Sequence, residues 1–404
     1  MKIKKIFARE ILDSRGNPTI EADVWTNIGI GRASVPSGKS TGKYEAVELR
    51  DNDEKFHGKG VSKAITNIRK TIALHLAGID CRKQNKIDNS LIKLDNTENK
   101  SRLGANAILA VSIASARAGA LAQGKELYQY LGKERNIPIP CFNIINGGKH
   151  AGNNLSFQEY MIIPVKFHCF KDRLRAGSEI YHTLKHILEK KYTKKAINVG
   201  DEGGFAPQLS KIEMPLKLIT QAIKEAGYEY KVKIGLDCAA NEFFRNGKYK
   251  VDNEYITTKQ LTDLYVELSD KYPILSIEDP FAEDEFKAFA ELKKRIKHVL
   301  IVGDDLLATN SERIKKAIKS KSCSCLLLKP NQIGTVTEAI SAGKLAKRNK
   351  WKIMVSHRSG ETNDSFIADL AVALGAEFIK SGAPCRGERL AKYNRLLRIE
   401  EQIL

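Results

Sequence analysis

Residues 274–329 contain three apolar runs that each stop at a charged residue: ILSIED (274–279), LIVGDD (300–305) and LLLK (326–329). A segment with helix-like periodicity follows each run. Strands that are apolar throughout are typical of a parallel sheet whose two faces are both buried. This stretch therefore predicts consecutive βα units.

The same pattern recurs on both sides of that stretch. Four further apolar runs precede charged residues: 196–199 before Asp201 and Glu202, 234–236 before Asp237, 353–355 before His357 and Arg358, and 378–379 before Lys380. A βα unit occupies roughly 30 residues. Seven such runs, each with a polar group at its carboxyl end, predict a (β/α)8 TIM-like barrel. The rival architecture, an open doubly wound sheet, collects its chemistry at one switch point and not at every strand end.

The first part of the chain predicts a different kind of unit. Residues 3–35 suggest short strands joined by turns, with the turn formers DSRGNP at 13–18, and helix periodicity follows at 61–77 and 104–122. We therefore expect an N-terminal α+β domain over 1–130 and a barrel domain over 137–404, with the proline-rich residues 137–140 near the boundary.

The net charge of +19 raises the possibility of a polyanionic partner. The basic residues are scattered and form no long block, so we interpret them as a solvated surface and expect no nucleic-acid partner. The apolar segment 103–123 is interrupted by Asn106 and Arg117, which favours a buried helix over a membrane span. Seven irregularly spaced cysteines, with no signal-peptide core, favour a reduced cytoplasmic location.

Barrel strand ends converge on one mouth, so Asp237, Glu278 and Asp304 are expected to meet there. Three carboxylates with no intervening Cys or His suit a hard cation such as Mg²⁺. The alternative for each acid alone is a helix cap or a surface group. The next strand ends carry Lys329, Arg358 and Lys380, which predicts an anionic substrate; surface salt bridging is the alternative.

Such a site suits a lyase that removes a proton next to a carboxylate and expels water from the neighbouring carbon. The metal neutralises the charge that develops on the carboxylate. A lysine near metal ions and other cations is expected to have a lowered pKa and to act as base. Glu202 is expected to protonate the leaving hydroxyl if neighbouring Glu159 raises its pKa.

A dozen segments in one order then resemble the enolase family over nearly the whole chain. They include DSRGNPT (13–19), SVPSGKSTG (34–42), NIINGGKHAGNN (143–154), GDEGGFAP (200–207), SIEDP (276–280), LLLKPNQIG (326–334) and SHRSGET (356–362). The resemblance implies an enolase-type barrel with irregular first strands, one of them antiparallel. It also implies the glycolytic conversion of 2-phosphoglycerate to phosphoenolpyruvate, a lysine base with Mg²⁺ being the known scheme of the superfamily.

Site roles carried over by motif are also implied. Two Mg²⁺ ions are expected per active site, one on Asp237, Glu278 and Asp304 and the other on Ser40 of the lid loop. Lys329 is the implied base, and Glu202 with Glu159 the implied acid. The implied substrate-binding residues are His150, Gln158, Arg358, Ser359 and Lys380. His150 as a buried structural histidine stays open. The resemblance further implies a homo-oligomer, either a dimer or an octamer, and no membrane partner.

Lys39 departs from the family pattern, in which alanine usually occupies this lid position. The sequence GKST at 38–41 matches the end of a P-loop motif. That motif begins with a glycine five positions before Gly38, where this chain has Ala33. Two rival functions remain at this point. One is a sugar-acid dehydratase or racemase that shares the metal acids, and the other is a non-catalytic or RNA-assembly role.

Overall fold

The computed structural model describes residues 1–39 and 42–404. The chain begins with an antiparallel sheet in the order β1-β2-β3, formed by β1 Lys5–Leu12, β2 Pro18–Trp25 and β3 Ile30–Ser34. Oδ1 of Asp13 accepts hydrogen bonds from the backbone N–H of Arg15 (2.8 Å) and Asn17 (2.9 Å). Short acidic side chains stabilise turns in this way, so the predicted turn sets the register of β1 against β2.

The helices that follow pack against this sheet. They are α1 Ser62–Asn67, α2 Ala73–Leu76, α3 Gln84–Asp95, α4 Ala105–Leu121 and α5 Leu127–Leu131, with a π-helical turn Ile68–Ile72 between the first two. The prediction of a buried helix over 103–123 agrees with α4, which is buried along nearly all its length. Gly31 permits its close approach to β3, because a Cβ there would lie 2.1 Å from the carbonyl oxygen of Ala114. Across the described residues, no helix is both long and apolar enough to cross a membrane.

Within the described residues, eight strands close into a barrel in the order β4-β5-β6-β10-β11-β12-β13-β14. They are β4 Ile139–Asn146, β5 Glu159–Pro164, β6 Val232–Asp237, β10 Ile274–Glu278, β11 Leu300–Gly303, β12 Cys325–Leu328, β13 Lys352–Ser356 and β14 Phe378–Lys380. β5 is antiparallel to both β4 and β6, and the remaining pairs are parallel. The implied irregular barrel with one antiparallel strand is thus confirmed.

Helices surround the barrel. They are α6 Phe170–Lys191, α7 Glu213–Glu225, α8 Thr258–Lys271, α9 Phe286–Arg295, α10 Ser311–Ser320, α11 Pro330–Ile333, α12 Val336–Arg348, α13 Phe366–Leu374 and α14 Gly387–Ile403. Polar caps begin several of them, as at Asn310, whose side chain accepts from the N–H of Glu312 and Arg313. A small antiparallel sheet of β7 Phe244–Arg245, β8 Lys248–Val251 and β9 Glu254–Ile256 lies between β6 and α8.

The strand prediction was wrong at one of its seven runs. Residues 194–197 form a 3-10 turn, and Val199 makes only an isolated bridge to Phe205. The first two barrel strands, β4 and β5, were missed because the connection between them, residues 147–158, contains a short 3-10 turn and no α-helix. Their apolar runs therefore lack the βα rhythm on which the prediction depended. The proposed domain boundary at 130–137 begins at the last turn of α5 and ends before β4.

Candidate active site at the barrel mouth

The carboxyl ends of the parallel strands surround a pocket at the barrel mouth. Its walls hold ten of the twelve predicted site residues: His150, Gln158, Glu159, Glu202, Asp237, Asp304, Lys329, Arg358, Ser359 and Lys380. Glu278 lies directly behind, in contact with Lys380. Ser40 lies outside the described residues. The fold thus brings together side chains that are up to 230 positions apart in sequence, from His150 to Lys380.

Strand order separates the charges into two arcs. β6, β10 and β11 are neighbours and carry Asp237, Glu278 and Asp304 at or just after their ends. β12, β13 and β14 follow around the barrel and lead into Lys329, Arg358 and Lys380. Nζ of Lys380 lies 2.7 Å from Oδ2 of Asp237 and 3.0 Å from both carboxylate oxygens of Glu278.

The acidic arc fits a divalent cation. Its donors are carboxylate oxygens, the ligands that Mg²⁺ prefers. Burial, and then the charge of Asp237, raise the pKa of the Glu278 carboxyl well above its ordinary value. A positive charge is needed to keep these acids ionised, and the ammonium groups of Lys380 and Lys329 supply it in this structure. The predicted trio is not among the groups of ligand atoms that lie within 4.8 Å of one another in the described chain.

A second acidic group lies at the same rim and was missed from the sequence. Asp279, Asp304 and Asp305 bring ligand atoms within 4.8 Å of one another. Asp279 accepts hydrogen bonds from the backbone N–H of Asp304 (2.9 Å) and Asp305 (2.6 Å). Burial, and then the charge of Asp304, raise the pKa of Asp305 to about 8. The paired acids at 278–279 and 304–305 were the signal available in the sequence.

On the other side of the mouth, Glu159 and Glu202 share His150. Nδ1 of His150 lies 3.3 Å from Oε1 of Glu159 and 3.5 Å from Oε1 of Glu202. Burial and the charge of Glu202 raise the pKa of Glu159 to about 7. Burial also raises the pKa of Glu202, but its interactions with His357, His150, Arg389 and Lys380 outweigh burial and hold that pKa well below the ordinary value.

The expectation that Glu202 has the raised pKa was therefore wrong for this state of the protein. Nδ2 of Asn143 donates to Oε2 of Glu202 at 3.0 Å, and Nε2 of His357 lies 3.5 Å from the same atom. These neighbours favour the ionised form of Glu202, so the proton of the pair resides on Glu159.

Arg389 fixes the ring of His357, a contact that the sequence did not predict. A guanidinium N–H of Arg389 donates to Nδ1 of His357 at 2.5 Å, which leaves the proton of the neutral imidazole on Nε2, facing Glu202. Burial lowers the pKa of His357 well below its ordinary value, so the ring is neutral. Arg389 also donates to the carbonyl oxygens of Arg358 (2.7 Å) and Ser359 (2.6 Å).

Lys329 immediately precedes α11, at the end of β12, and is buried opposite the glutamate pair. Its Nζ lies 2.5 Å from Oδ2 of Asp304. Burial lowers the pKa of Lys329, but the charge of Asp304 outweighs burial and the pKa is raised. The predicted lowering is therefore absent while Lys329 and Asp304 are ion-paired.

Loops that flank the strands of the N-terminal sheet supply part of the pocket wall. Nη1 of Arg358 donates to Oε2 of Glu45 at 2.7 Å, and Arg15 lies 3.4 Å from Oγ of Ser359. Ser37 and Gly360 exchange two backbone hydrogen bonds, of 2.7 and 3.0 Å, which anchor the start of the predicted lid to the barrel. Glu45 belongs to a conspicuous motif, EAVELRD (45–51), but carried no predicted role.

Two protein-family models match the chain. One, described as the enolase N-terminal domain, matches residues 3–131, and the other, described as the enolase C-terminal TIM barrel domain, matches residues 134–404. Together they leave only residues 1, 2, 132 and 133 unmatched.

Proposed function

Because this chain belongs to the enolase family, we propose that it reversibly dehydrates 2-phospho-D-glycerate to phosphoenolpyruvate, the phosphopyruvate hydratase reaction. Family membership supports an enolase-type lyase, and the substrate is the finer proposal. The observation that carries it is the position of Lys329 relative to Glu159. β12 and β5 are four strands apart in a barrel of eight described strands, so these residues face each other across the mouth.

This opposition suits an elimination with two proton transfers on opposite sides of the substrate. The neutral amine of Lys329 takes the proton from C2 and becomes ammonium, and the electron pair moves onto the substrate carboxylate. The pair then returns to form the C2–C3 double bond as the C3–O bond breaks. Glu202, in its acid form, gives its proton to the departing hydroxyl, which leaves as water.

Lys329 must lose its proton before it can act as base. The ion pair with Asp304 opposes that loss, whereas the charges of Arg358 and Lys380 favour it. If another cation occupies the Asp304 oxygens, Lys329 loses the ion pair that raises its pKa. We therefore expect the pKa of Lys329 to fall when a cation binds to the acidic arc.

The acid is a pair and not a single residue. With a pKa raised to about 7, Glu159 is the more readily protonated carboxylate of the pair, and His150 contacts both carboxylates. The pair can therefore deliver its proton through Glu202 to a hydroxyl that leaves on that side, with Glu159 as the reservoir.

We propose that Asp237, Glu278 and Asp304 hold one Mg²⁺ and that Ser40 contributes to a second. When bound, these ions neutralise the negative charge that develops on the substrate carboxylate. Arg358 and Ser359 are proposed to bind the phosphate, for which the guanidinium fork is suited. Lys380, Gln158 and His150 are proposed to hold the remainder of the substrate. A cytoplasmic homo-oligomer, dimeric or octameric, completes the proposal.

The test is the ultraviolet absorbance of the enol product, with purified protein and 2-phosphoglycerate. We expect product formation that EDTA abolishes, that excess Mg²⁺ restores and that Lys329→Ala abolishes. Lys224→Ala, at an exposed lysine of α7, is the matched control and is expected to keep full activity.

A second measurement separates the two proton transfers. Exchange of the C2 proton with deuterated solvent is expected to persist in Glu202→Gln and to disappear in Lys329→Ala, although neither variant forms product. Absence of turnover in folded, Mg²⁺-loaded protein would overturn the proposal, and turnover of a sugar acid in its place would favour the dehydratase alternative.

A further inference from the structure

Three helix-to-strand connections lie side by side at the end of the barrel opposite the mouth. They lead into β11, β12 and β13, which are neighbouring parallel strands. The backbone N–H of Lys352 donates to the carbonyl of Ser324 (2.9 Å), and that of Ser324 to the carbonyl of Ile301 (3.0 Å). We call the surface formed by residues 293–300, 315–324 and 344–352 the lower face.

The lower face is strongly basic. Its three segments contain thirteen lysines and arginines and no aspartate or glutamate, against a net charge of +19 for the whole chain. Ion pairs to acids outside the segments involve Arg295 with Asp263 (2.6 Å), Lys315 with Glu312 (2.8 Å) and Lys352 with Glu377 (3.1 Å). Eight exposed cations of the lower face form no ion pair with any acid in residues 1–39 and 42–404: Lys294, Lys297, Lys316, Lys319, Lys321, Lys344, Arg348 and Lys350.

Helix stability does not account for this concentration. One cation in the last turn of a helix complements the helix dipole, and the effect fades within that turn. Lys297, Lys321 and Lys350 lie beyond the ends of α9, α10 and α12. Lys321 and Lys350 also have positive φ angles of 57° and 61°, a conformation that glycine and asparagine adopt more readily.

We propose that the lower face binds the phosphodiester backbone of a nucleic-acid duplex without reading its sequence. The sequence argued against such a partner because its basic residues are scattered, but the fold collects three separate segments onto one surface. The large apolar side chains that are exposed in the described structure all lie elsewhere. The lower face therefore has no exposed apolar side chain that could insert into a lipid bilayer and no exposed aromatic ring on which unpaired bases could stack. Its positive charge, in contrast, complements a phosphate backbone.

The expected salt dependence follows from the charge count. Neighbouring helix axes lie roughly 8–10 Å apart, so the lower face extends roughly 20 Å across α9, α10 and α12. A duplex presents one charge per about 1.7 Å, or about twelve phosphates over that length. If about four of these eight cations contact phosphates, the logarithmic salt slope is about −3.6, and affinity falls about 150-fold between 50 and 200 mM salt.

The test uses the full chain with a labelled RNA duplex and, separately, the DNA duplex of the same sequence. Fluorescence anisotropy gives Kd over that salt range. The triple variant Lys297→Gln, Lys321→Asn, Lys350→Asn removes three charges, and asparagine suits the positive φ angles. We expect binding at least about tenfold weaker at 50 mM salt and a slope smaller by about 2.7.

The matched control removes three charges at the other end of the barrel. Because β5 runs opposite to its neighbours, α6 ends towards the mouth, and Lys190→Gln, Lys191→Gln, Lys194→Gln changes the net charge equally. Thermal midpoint and lyase turnover are expected to be unchanged in both triple variants, which keeps this test separate from the proposed function.

Binding of either duplex that only the lower-face variant weakens supports the proposal, and comparison of the two duplexes shows whether RNA or DNA is preferred. Equal weakening in both variants overturns it, because net charge alone would then explain binding. Absence of binding at 50 mM salt also overturns it. So does binding to phosphatidylserine–phosphatidylcholine vesicles without binding to either duplex.

Discussion

The ion pair between Arg117 of α4 and Asp364 joins the N-terminal unit to the barrel, and its loss should measurably destabilise the protein. Two guanidinium N–H groups donate to the two carboxylate oxygens of Asp364, both at 2.6 Å. Asp364 also accepts from the backbone N–H of Ser34 (2.9 Å) and Phe366 (2.8 Å). We predict that Asp364→Asn leaves the Arg117 charge without its partner.

The magnitude follows from burial. The side chain of Asp364 is 7% exposed and that of Arg117 is 24% exposed. Breaking a buried pair from one side costs about 3–5 kcal/mol, and the partial exposure of Arg117 points to the lower end, about 3 kcal/mol. An unfolding entropy of about 2.1 cal/mol/K per residue gives roughly 0.85 kcal/mol/K for this chain, so Tm should fall by about 3.5 °C.

The contribution should also depend on pH. Burial raises the pKa of Asp364, but the charge of Arg117 and the hydrogen bonds outweigh it, so the folded-state pKa lies below the ordinary value of 3.8. The unfolded chain then binds the proton more readily. The stability is fully present above about pH 4 and is lost as the pH falls through the folded-state pKa.

Differential scanning calorimetry at fixed protein concentration checks this prediction. The gap between wild type and Asp364→Asn should be constant from about pH 8 to pH 5 and should shrink below about pH 4. Asp80→Asn is the control, because Asp80 also pairs with an arginine, Arg82, but at the exposed surface. A Tm shift no larger than that of the control, or a gap that persists undiminished in acid, would refute the reasoning.

Four further outcomes are expected. Lys39 lines the pocket, and its Nζ lies 3.3 Å from Oδ2 of Asp201. Lys39→Ala should raise KM about threefold with a smaller change in kcat. An unchanged KM at low salt would contradict this prediction. Arg389→Lys should lower kcat about 100-fold at normal stability, because a shift of about 1 Å in the residues it holds is costly; kinetics near the wild-type values would exclude that role. Gly31→Ala should cost about 1–3 kcal/mol through overpacking, measured by urea unfolding, whereas Gly152→Ala, which has open space, should cost nothing measurable. Mg²⁺ at about 100 times its Kd should stabilise the chelated protein by about 2.7 kcal/mol in a thermal shift assay, and a Tm insensitive to Mg²⁺ would contradict metal binding.

Much of the barrel was predictable because its parallel strands repeat one pattern. Six of the seven apolar runs became barrel strands, and the charged residues after them gather at one mouth. That inference needs only the convergence of strand ends. β4 and β5 escaped it, since no α-helix lies between the strands of this antiparallel pair, and Glu159 was therefore not recognised as a residue at a strand end.

The electrostatics were less predictable, because they depend on neighbours that come from distant segments. Lys329 was expected to have a pKa lowered by metal ions and other cations, yet its ion pair with Asp304 raises that pKa. Glu202 was expected to have a pKa raised by Glu159, yet interactions with His357, His150 and Arg389 lower it. Arg389 belongs to the last helix of the chain, and nothing in its local sequence indicates contact with His357. The direction of a pKa shift depends on which charged groups surround the residue in the folded protein. The spacing of residues along the sequence does not show these contacts.

The reversed strand β5 also affects how this enzyme family can diversify. In the regular units, each loop at the mouth leads from a strand into a helix of the outer ring, so its two ends are held in different layers of the barrel. The connection 147–158 instead leaves β4 and enters β5 at the mouth itself. It can lengthen, shorten or exchange residues while both of its ends stay fixed in the sheet. A library of insertions confined to this connection would therefore explore new substrate shapes while the outer helices keep their packing.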